Sequence, residues 1–496
     1  MGPNLPPPIP PSFLARMERL LGDEFGAFAA SLALPPATGL RANTLKLSPQ
    51  RLCELLPFDL APLEWLPEGF LVPVDETPGA APPADGPITQ ERSRAVDAAP
   101  SRSKPGKHPY HAAGLYYLQD PSAMVVARLL DPQPGERVLD LCAAPGGKAT
   151  HIAALMGNRG LFVANETHDR RVWDLAENLE RWGARHAAIT NESPDRLAER
   201  FEGFFDRVLV DAPCSGEGMF RKSPAARLEW TPDLIEGCAR RQASILEVAA
   251  RLLRPGGQVV YATCTFAPEE DERTLARFLS AHADFELVEP TRLPGFGTGR
   301  PDWIAGGTGS EQVGRAVRLW PHTGPGEGHF AAVLHYLGEP AGSATTRRPP
   351  RDRNREKAAR GAADLFHRFC HDHLARDIRP ERLEVAGTYL YAVPPGLPNL
   401  TGLRFIHPGW WLGTVRRDRF EPAHALAMGL ELADFARSVS LPAGDDRALA
   451  YLRGASFPSQ GEDGWVGVGV DGFPLGWGKR VGGNVKSHYP KGLRWS

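Results

Sequence analysis

One stretch of the 496-residue chain, Val138 to Thr150, restricts the possible folds more than any other. It begins with apolar residues of the kind that form a buried strand in a parallel sheet. Residues 143–147 are small, so the backbone there can turn sharply and lie close to a ligand. A helical pattern starts at Lys148. A strand, a tight turn and a helix in this order predict a nucleotide-type site at the carboxyl edge of a doubly wound sheet.

Several ligands compete for this turn. A dinucleotide needs the pattern G-x-G-x-x-G, which the turn lacks. In a phosphate loop, a glycine and a serine or threonine would stand where this chain has Cys142 and Ala149. The remaining ligand is an adenosyl cofactor without a pyrophosphate, and S-adenosyl-L-methionine fits. The alternative is an ordinary strand-to-helix turn of small residues.

Composition limits the classes of protein to which the chain can belong. A net charge of −2 restricts any nucleic-acid binding to local patches. None of the six cysteines pairs with another at C-x-x-C spacing, which argues against a zinc ribbon and indicates a reducing compartment. The chain lacks a signal-peptide pattern and any apolar run near the ~18 residues of a membrane span. We therefore expect a cytoplasmic protein without a metal and away from membranes. We also expect it to be a monomer.

The sequence pattern divides the chain into six parts. They are an N-terminal α+β extension (1–76), a disordered insertion (77–107), a doubly wound α/β domain (108–337), a basic linker (338–361), a C-terminal α+β domain (362–436) and a small β domain (437–496). In the extension, spacing predicts one amphipathic helix over 13–32. In the α/β domain, we predict strands at 137–141, 161–165, 186–190, 206–211, 257–263, 317–320 and 329–336, and helices at 148–156, 169–182, 233–253 and 268–281. Asp120 and Pro121 predict the start of a further helix that ends at Leu130.

Two groups of polar residues predict contact with RNA. The strand-like segment 39–46 presents polar groups on one side, which could meet phosphate or ribose or simply face solvent. The C-terminal tail interleaves basic residues with aromatics, a combination suited to RNA backbone and base stacking, although an ordinary basic C-terminus remains the alternative. With a basic pair in the α/β domain, the RNA-binding candidates are Arg41, Asn43, Lys46, Arg221, Lys222, Lys479, Arg480, Lys486 and Lys491.

Chemistry-bearing residues follow three of the predicted strands. Glu166 stands about twenty residues beyond the glycine loop, where an acid can hydrogen-bond ribose hydroxyls, or can merely cap a helix. Asp211 and Cys214 follow one buried strand and Cys264 follows another. A single cysteine is usually a small buried hydrophobe. Two cysteines at the ends of neighbouring strands beside a methyl-donor pocket favour covalent chemistry instead.

Methylation of cytosine at carbon 5 explains why thiols belong at such a site. Carbon 5 is a poor nucleophile until a thiolate attacks carbon 6 and turns the ring into an enamine. Protonation or hydrogen bonding at ring nitrogen 3 by Asp211 would stabilise the adduct. A base then removes the carbon 5 proton before the thiol leaves, and the second cysteine can assist that step.

These stretches together resemble the Sun/Fmu family of RNA 5-methylcytosine methyltransferases. The matching motifs are Asp-Leu-Cys-Ala-Ala-Pro-Gly-Gly-Lys (140–148), Asp-Ala-Pro-Cys-Ser-Gly (211–216) and Thr-Cys-Thr (263–265). The resemblance extends to Arg-Ala-Asn-Thr-Leu-Lys (41–46), to Gln-Asp-Pro-Ser (119–122) and to residues 171–183. The tail from Gly464 to Trp495 resembles the PUA-like RNA-binding end of the ribosomal-RNA small-subunit methyltransferase F group. The implied fold is a Rossmann-like methyltransferase domain with an N-terminal RNA-binding extension and a C-terminal PUA-like β domain.

The resemblance also implies roles for individual residues. Cys264 would be the nucleophile, and Cys214 would aid product release. The implied contacts to S-adenosyl-L-methionine are Cys142, Ala143, Ala144, Pro145, Gly146, Gly147, Lys148, Glu166, Arg171 and Asp211. Where the family often has an acid after the third strand, this chain has Asn191 followed by Glu192, and either could contact the adenine side.

The resulting hypothesis is methylation of carbon 5 of cytidine in ribosomal RNA, with small-subunit RNA or the small ribosomal subunit as the partner. One alternative is a tRNA cytosine methyltransferase. Another is a non-catalytic RNA-binding factor in ribosome assembly, which would tolerate the loss of either thiol. A DNA cytosine methyltransferase uses the cysteine after proline as its nucleophile and would leave Cys264 superfluous.

Overall fold

A computed structural model of the chain describes residues 7–73, 105–304, 311–339 and 353–496. They contain four sheets, of which the largest has ten strands. Most of the predicted disordered insertion lies outside the described residues, but 105–107 form a short 3-10 helix. Of the predicted basic linker, 340–352 lie outside the described residues.

The N-terminal segment differs from its prediction of one helix. It forms α1 (Pro11–Leu21) and α2 (Phe25–Leu32), separated by a 3-10 turn at 22–24. Gly22 takes a positive φ of 54°, which glycine adopts readily and which ends α1. Phe13 and Phe28 are fully buried against Phe220 and Trp230 of the α/β domain. The two helices therefore pack against the surface of the α/β domain.

A small antiparallel sheet connects the extension to the α/β domain. Its elements, with two short helices, are β1 (Gly39–Ala42), α3 (Pro49–Leu55), β2 (Ala61–Leu63), β3 (Leu66–Leu71), α4 (Pro109–Ala112) and β4 (Tyr116–Gln119). The strand order is β2-β3-β1-β4, with β1 paired to both β3 and β4. Because β4 leads directly into the α/β domain, the extension is held against that domain by backbone hydrogen bonds.

The central domain has the predicted doubly wound fold. Its elements are α5 (Pro121–Leu130), β5 (Arg137–Asp140), α6 (Gly147–Leu155), β6 (Leu161–Asn165), α7 (Arg171–Trp182), β7 (Ala187–Thr190), α8 (Pro194–Phe201), β8 (Phe205–Asp211), α9 (Pro224–Glu229), α10 (Pro232–Leu252), β9 (Leu253–Thr263), α11 (Glu272–Ala281), β10 (Phe285–Val288), β11 (Phe296–Thr298), β12 (Val317–Leu319) and β13 (His329–Tyr336). The five strands β5 to β9 are parallel, and β13 pairs antiparallel with β9. Apolar residues cover both faces of the sheet. The carboxyl ends of β5, β6, β8 and β9 therefore meet at one edge.

The next segment begins earlier than predicted and joins the central sheet. Its elements are α12 (Arg353–His373), β14 (Leu383–Ala386), β15 (Tyr389–Ala392), β16 (Phe405–His407), β17 (Trp410–Val415), β18 (Phe420–Pro422) and α13 (His424–Met428). Residues 353–361, predicted as linker, belong to α12. The strand β16 pairs antiparallel with β7 and covers an edge that would otherwise be open.

The last segment forms a five-stranded sheet. Its elements are β19 (Ser438–Leu441), α14 (Asp446–Leu452), β20 (Phe457–Pro458), β21 (Gly464–Val470), β22 (Phe473–Val481) and β23 (Asn484–Ser487), in the order β19-β21-β22-β23-β20. Its core is continuous with the N-terminal sheet, since Leu40 and Leu52 pack in one cluster with Tyr451 and Val466. Tyr110 also donates a hydrogen bond to Asp471, 361 residues along the chain, at 2.8 Å.

Candidate active site at the carboxyl edge of the central sheet

The loop from Cys142 to Lys148 connects β5 to α6, as predicted. Gly146 has a φ of 115°, and a Cβ there would lie 3.2 Å from Asn178 Cβ, so only glycine fits both the turn and the neighbouring helix. The loop is held from α7: Arg171 donates to the carbonyl of Ala144 at 2.6 Å, and Asn178 donates to that of Pro145 at 2.8 Å. In this structure Arg171, an expected cofactor contact, shapes the loop.

Asp140 lies beneath this loop with one oxygen unsatisfied. The residue is fully buried; Oδ1 accepts a hydrogen bond from the Cys142 amide at 3.3 Å, while Oδ2 has no partner. Burial and the neighbouring Asp211 carboxylate raise the pKa of Asp140 to about 8. At neutral pH Asp140 is therefore largely a neutral acid that can donate a hydrogen bond. An unsatisfied buried donor at the floor of a glycine loop fits a polar ligand above it.

Glu166 follows β6 at the same edge and is buried. One carboxylate oxygen accepts the His168 amide at 2.8 Å, and the other lies 3.7 Å from Arg171. The structure also separates the two candidates after the third strand. The Asn191 amide donates to the Glu166 carbonyl at 2.8 Å, whereas the Glu192 carboxylate accepts the Arg404 amide at 2.7 Å. Glu192 therefore ties β7 to the C-terminal segment, and Asn191 is the one that lies beside Glu166.

Cys214 and Cys264 meet at the ends of adjacent strands. The strands β8 and β9 are paired in parallel, and the two Sγ atoms lie 3.3 Å apart. The hydrogen bond to Cys264, together with burial, raises the pKa of Cys214 well above its ordinary value. Burial and nearby carboxylates likewise raise the pKa of Cys142. Cys214 and Cys142 are therefore thiols that keep their protons, since the thiolate is the disfavoured form of each.

Buried carboxylates position the two cysteine loops. Glu270 accepts the Ser215 amide at 2.9 Å, and burial raises the pKa of Glu270 to about 7. Glu217 accepts the amide of Phe266 at 2.9 Å and the indole N–H of Trp230 at 2.9 Å. Ser215 and Thr265, each next to a cysteine, are themselves in hydrogen-bond contact at 2.9 Å. This network connects both loops, so the sulfur positions are set by a rigid support.

Lys148 takes a position that the sequence analysis did not predict. It was expected to contact the cofactor, but its ammonium donates to Asp211 Oδ2 at 2.8 Å and lies 3.5 Å from His329 Nε2. Although burial opposes it, the Asp211 carboxylate raises the pKa of Lys148 overall. His329, Glu217 and Glu270 were missed as well. The nearest sequence signal was the Gln-Asp-Pro-Ser motif, whose Ser122 contacts His329 at 3.2 Å.

The polar residues of the N-terminal strand, which were predicted to contact RNA, form hydrogen bonds within the chain. Arg41 and Asn43 are fully buried. Arg41 donates to the Gly147 carbonyl at 3.0 Å and to Thr150 at 2.8 Å, and Asn43 donates to two backbone carbonyls. Lys46 donates to the carbonyls of Ala113 and Arg181 at 2.8 and 2.9 Å. These residues attach the extension to the start of α6 and to α7.

The other basic candidates fall into two groups. Arg221 is bound to Glu327 at 2.6 Å, Lys222 to Asp120 at 2.8 Å, and buried Arg480 to the Glu462 carbonyl at 3.2 Å, so each of the three has a partner within the chain. By contrast, Lys479, Lys486 and Lys491 are exposed on the last domain. Lys479 lies over the ring of Trp465, with its Nζ 5.9 Å from the ring centroid.

A cleft of about 1040 Å³ lies away from the cysteines. It opens between α7 and the C-terminal segments, and its walls mix aromatic, basic and acidic side chains.

In the part of the chain that the structure describes, no cluster of three histidine, cysteine or acidic residues could hold a metal ion. No helix within the same part is both long and apolar enough to cross a membrane.

Comparison with known proteins identifies the family. The model of the 16S rRNA methyltransferase RsmB/F matches residues 127–335. Models of the N-terminal domain of 16S rRNA methyltransferase RsmF, the first C-terminal domain of RsmF and the RsmF PUA domain match residues 9–83, 368–430 and 438–495, respectively. The ribosomal RNA small subunit methyltransferase F of Erwinia tasmaniensis is 31% identical over 98% of this chain and 96% of its own length. The chain belongs to the ribosomal RNA small subunit methyltransferase F family. The Vibrio cholerae member is 29% identical over 99% of this chain and 98% of its own length.

Solved structures resemble about two thirds of this chain. A methyltransferase homologue from Pyrococcus horikoshii is 28% identical, covers 66% of this chain and all of its own, and has a TM-score of 0.52. NSun6 from the same organism, solved with the compound SFG, covers 66% of this chain with a TM-score of 0.54 at 24% identity, which supports the fold alone. The predicted Rossmann-like methyltransferase fold and PUA-like domain are thereby confirmed, and the chain is a member of an enzyme family.

Proposed function

We propose that this protein methylates carbon 5 of a cytidine in small-subunit ribosomal RNA through a covalent adduct with Cys264. The observation that carries the proposal is the 3.3 Å approach of Cys214 and Cys264 at the edge that also holds the glycine loop. Family membership supports methyl transfer and a ribosomal substrate, because the relatives are named as small-subunit rRNA methyltransferases. The thiol pair supports the choice of cytosine carbon 5.

The chain's own residues prepare the covalent step. Cys214 keeps its proton and its Sγ lies 3.3 Å from that of Cys264, and we assign the attack on carbon 6 to Cys264. Lys148 lies at the same edge and interacts electrostatically with Cys264. After methyl transfer, a water molecule removes the carbon 5 proton, the carbon 6–sulfur bond breaks and Cys264 leaves as a thiolate. The Cys214 proton can be transferred to that thiolate, and Cys214 regains a proton from solvent.

Asp211 and Lys148 are placed to hold the ring. An ion-paired carboxylate accepts hydrogen bonds, so Asp211 suits the exocyclic amine of cytosine and also ring nitrogen 3 once that atom carries a proton. About 29% of the Asp211 side chain is exposed, which leaves it accessible to a base. The pair therefore supports an electrostatic role in stabilising the adduct.

S-adenosyl-L-methionine is the proposed methyl donor, and its chemistry when bound is to supply an electrophilic methyl group. The unsatisfied Asp140 oxygen, the Gly146 turn and the buried Glu166 carboxylate fit such a ligand. Glu166 would accept ribose hydroxyls, and Asn191 would hold the Glu166 segment in place. Lys479, Lys486 and Lys491 are the proposed phosphate contacts of the RNA.

Substitution of each cysteine tests the covalent mechanism. We expect C264A to lose methylation and to form no adduct, because no other group can start the reaction. We expect C214A to attack and methylate, then to stall as a denaturant-resistant complex with RNA, visible as a shifted band on a denaturing gel. The matched control is C53A, because Cys53 is exposed and lies on α3.

The opposite gel pattern, with adduct in C264A and none in C214A, would make Cys214 the nucleophile and overturn the assigned roles. Activity in both variants without an adduct would exclude covalent catalysis. Bisulfite sequencing of ribosomal RNA and tRNA from a deletion strain identifies the substrate. A lost signal in tRNA alone would replace the ribosomal proposal.

The cofactor proposal is tested at Glu166. We expect E166A to weaken binding of S-adenosyl-L-methionine by about 1–3 kcal/mol, since a paired ribose contact is lost. Isothermal calorimetry measures the effect, with D169A as the control because Asp169 is exposed and nearby. Equal affinity in E166A and the wild type would remove Glu166 from the site.

A further inference from the structure

His329 lies beside the reaction centre and has no role in the function proposed so far. It is the first residue of β13, next to Phe330, which pairs with Thr263 immediately before Cys264. The ring is buried between Lys148 and Ser122, with Nε2 3.5 Å from Lys148 Nζ and Nδ1 3.2 Å from Ser122 Oγ. Ser122 belongs to the Gln-Asp-Pro-Ser motif, which the proposed function also leaves without a role.

The donors and acceptors that each group carries set the direction of the contacts made by His329 and Ser122. An ammonium has only donors, so Nε2 of the ring must accept from Lys148. In a neutral imidazole Nδ1 then carries the proton and donates to Ser122. The Ser122 hydroxyl in turn donates to the carboxylate of Asp120. Burial and the Lys148 ammonium lower the pKa of His329 to about 4, which agrees with a neutral ring.

The far end of this chain of contacts is firmly held. Asp120 accepts Lys222 Nζ at 2.8 Å and the Glu327 amide at 3.1 Å. It also caps α5 through the Ala123 amide. Although burial opposes it, the Lys222 ammonium lowers the pKa of Asp120, so this residue stays an acceptor. A fixed acceptor at one end orients each donor along the chain as far as the imidazole.

We propose that His329 is a positioning residue, oriented by Ser122 and Asp120, that holds the Lys148 ammonium in place against Asp211 and near Cys264. This inference rests on the proposed function, because it concerns the same reaction centre. Lys148 has a long flexible side chain, and Asp211 contacts it from one side only. A lone pair on Nε2 supplies a second direction, so the ammonium keeps one orientation toward the substrate.

Two amide substitutions separate the two ends of the ring. Glutamine carries its amide near the position of Nε2 and can accept from Lys148, whereas asparagine carries it near Nδ1 and can satisfy only Ser122. We expect H329Q to retain most of the wild-type kcat and H329N to lose about 10- to 100-fold, the effect of a hydrogen bond to a charged group. The KM for RNA should change little in either variant. H335Q, on the same strand and partly exposed, is the control.

A second measurement needs no substrate. Lys148 and Cys264 interact electrostatically, so a displaced ammonium should slow alkylation of Cys264 by iodoacetamide, measured by peptide mass spectrometry. We expect slower alkylation in H329N than in H329Q, both assayed well below their unfolding midpoints. Equal kcat values in the two variants, or equal alkylation rates, would overturn the inference. Absence of cytosine methylation by the wild type would overturn the proposed function instead, and the alkylation comparison would still stand.

Discussion

The two regions predicted to meet RNA contain similar residue types in opposite environments. The segment 39–46 and the tail 479–491 both contain basic and amide side chains among apolar residues. In the structure, Arg41 and Asn43 are fully buried and bonded within the chain, while Lys479 and Lys486 are exposed on neighbouring strands. The same residue types therefore join domains in one region and remain available to a partner in the other.

The difference lies in what surrounds each strand. The strand β1 is central in its sheet, between β3 and β4, and other parts of the chain cover both of its faces. Its polar groups must be satisfied internally, because an unpaired buried polar group is costly. Lys479 and Lys486 are paired across β22 and β23, and both side chains are exposed. Burial, and not residue type, decides the role.

The largest expected effect is a loss of folding stability in acid, caused by buried histidines. Burial lowers the pKa of His111 to about 3 and that of His424, near Lys46, to about 4, from 6.5 in the unfolded chain. Between those values and pH 6.5 the unfolded state binds more protons, so stability is complete above pH 6.5 and is lost as the pH falls below it. Urea unfolding between pH 7 and pH 4.5 measures this loss.

Substitution of His424 assigns part of that loss. We expect H424Q to flatten the pH dependence of unfolding, because the variant has no group to protonate at that position. The control is H371Q, since His371 is highly exposed at the end of α12. An unchanged slope in H424Q would show that this histidine does not contribute to acid destabilisation.

An intermediate effect is expected at Asn43. Its amide donates to the carbonyls of Gly114 and Trp182 at 2.7 and 2.8 Å. We expect N43A to lose about 2–5 kcal/mol of unfolding free energy, because two buried acceptors lose their partners. The folded variant should bind RNA like the wild type. The matched control is T44A at the adjacent exposed position. Equal stability of the two variants would show that the buried hydrogen bonds of Asn43 do not stabilise the fold.

The smallest effect on stability is expected from the exposed lysines. We expect K479A/K486A/K491A to change unfolding free energy by less than about 0.5 kcal/mol but to weaken RNA binding. The slope of log affinity against log salt should decrease by about 0.7–0.9 for each lost phosphate contact. The control R159A/R251A/R277A removes three exposed charges from the α/β domain. Equal RNA affinity in both triple variants would remove the last sheet as an RNA surface.

Local patterns were sufficient for much of the central domain. Buried strands such as 161–165 and the capped start of α5 at Asp120 carry their signals within a few residues. The positions of Cys214 and Cys264 followed from the rule that parallel strands end at one edge. His329 was not predictable in this way, because it reaches the edge from an antiparallel strand, and 207 residues separate it from Ser122.

The sequence by itself determined the glycine loop, the position of Glu166 after β6 and the positions of Cys214 and Cys264, because each depends on residues adjacent in the chain. Only the tertiary structure decided which charges are buried. Arg41 contacts the carbonyl of Gly147, Glu192 contacts the amide of Arg404, and Lys148 contacts Asp211. A local pattern shows where a polar group stands on its own strand, but its partner and its access to water depend on segments packed against it from far along the chain.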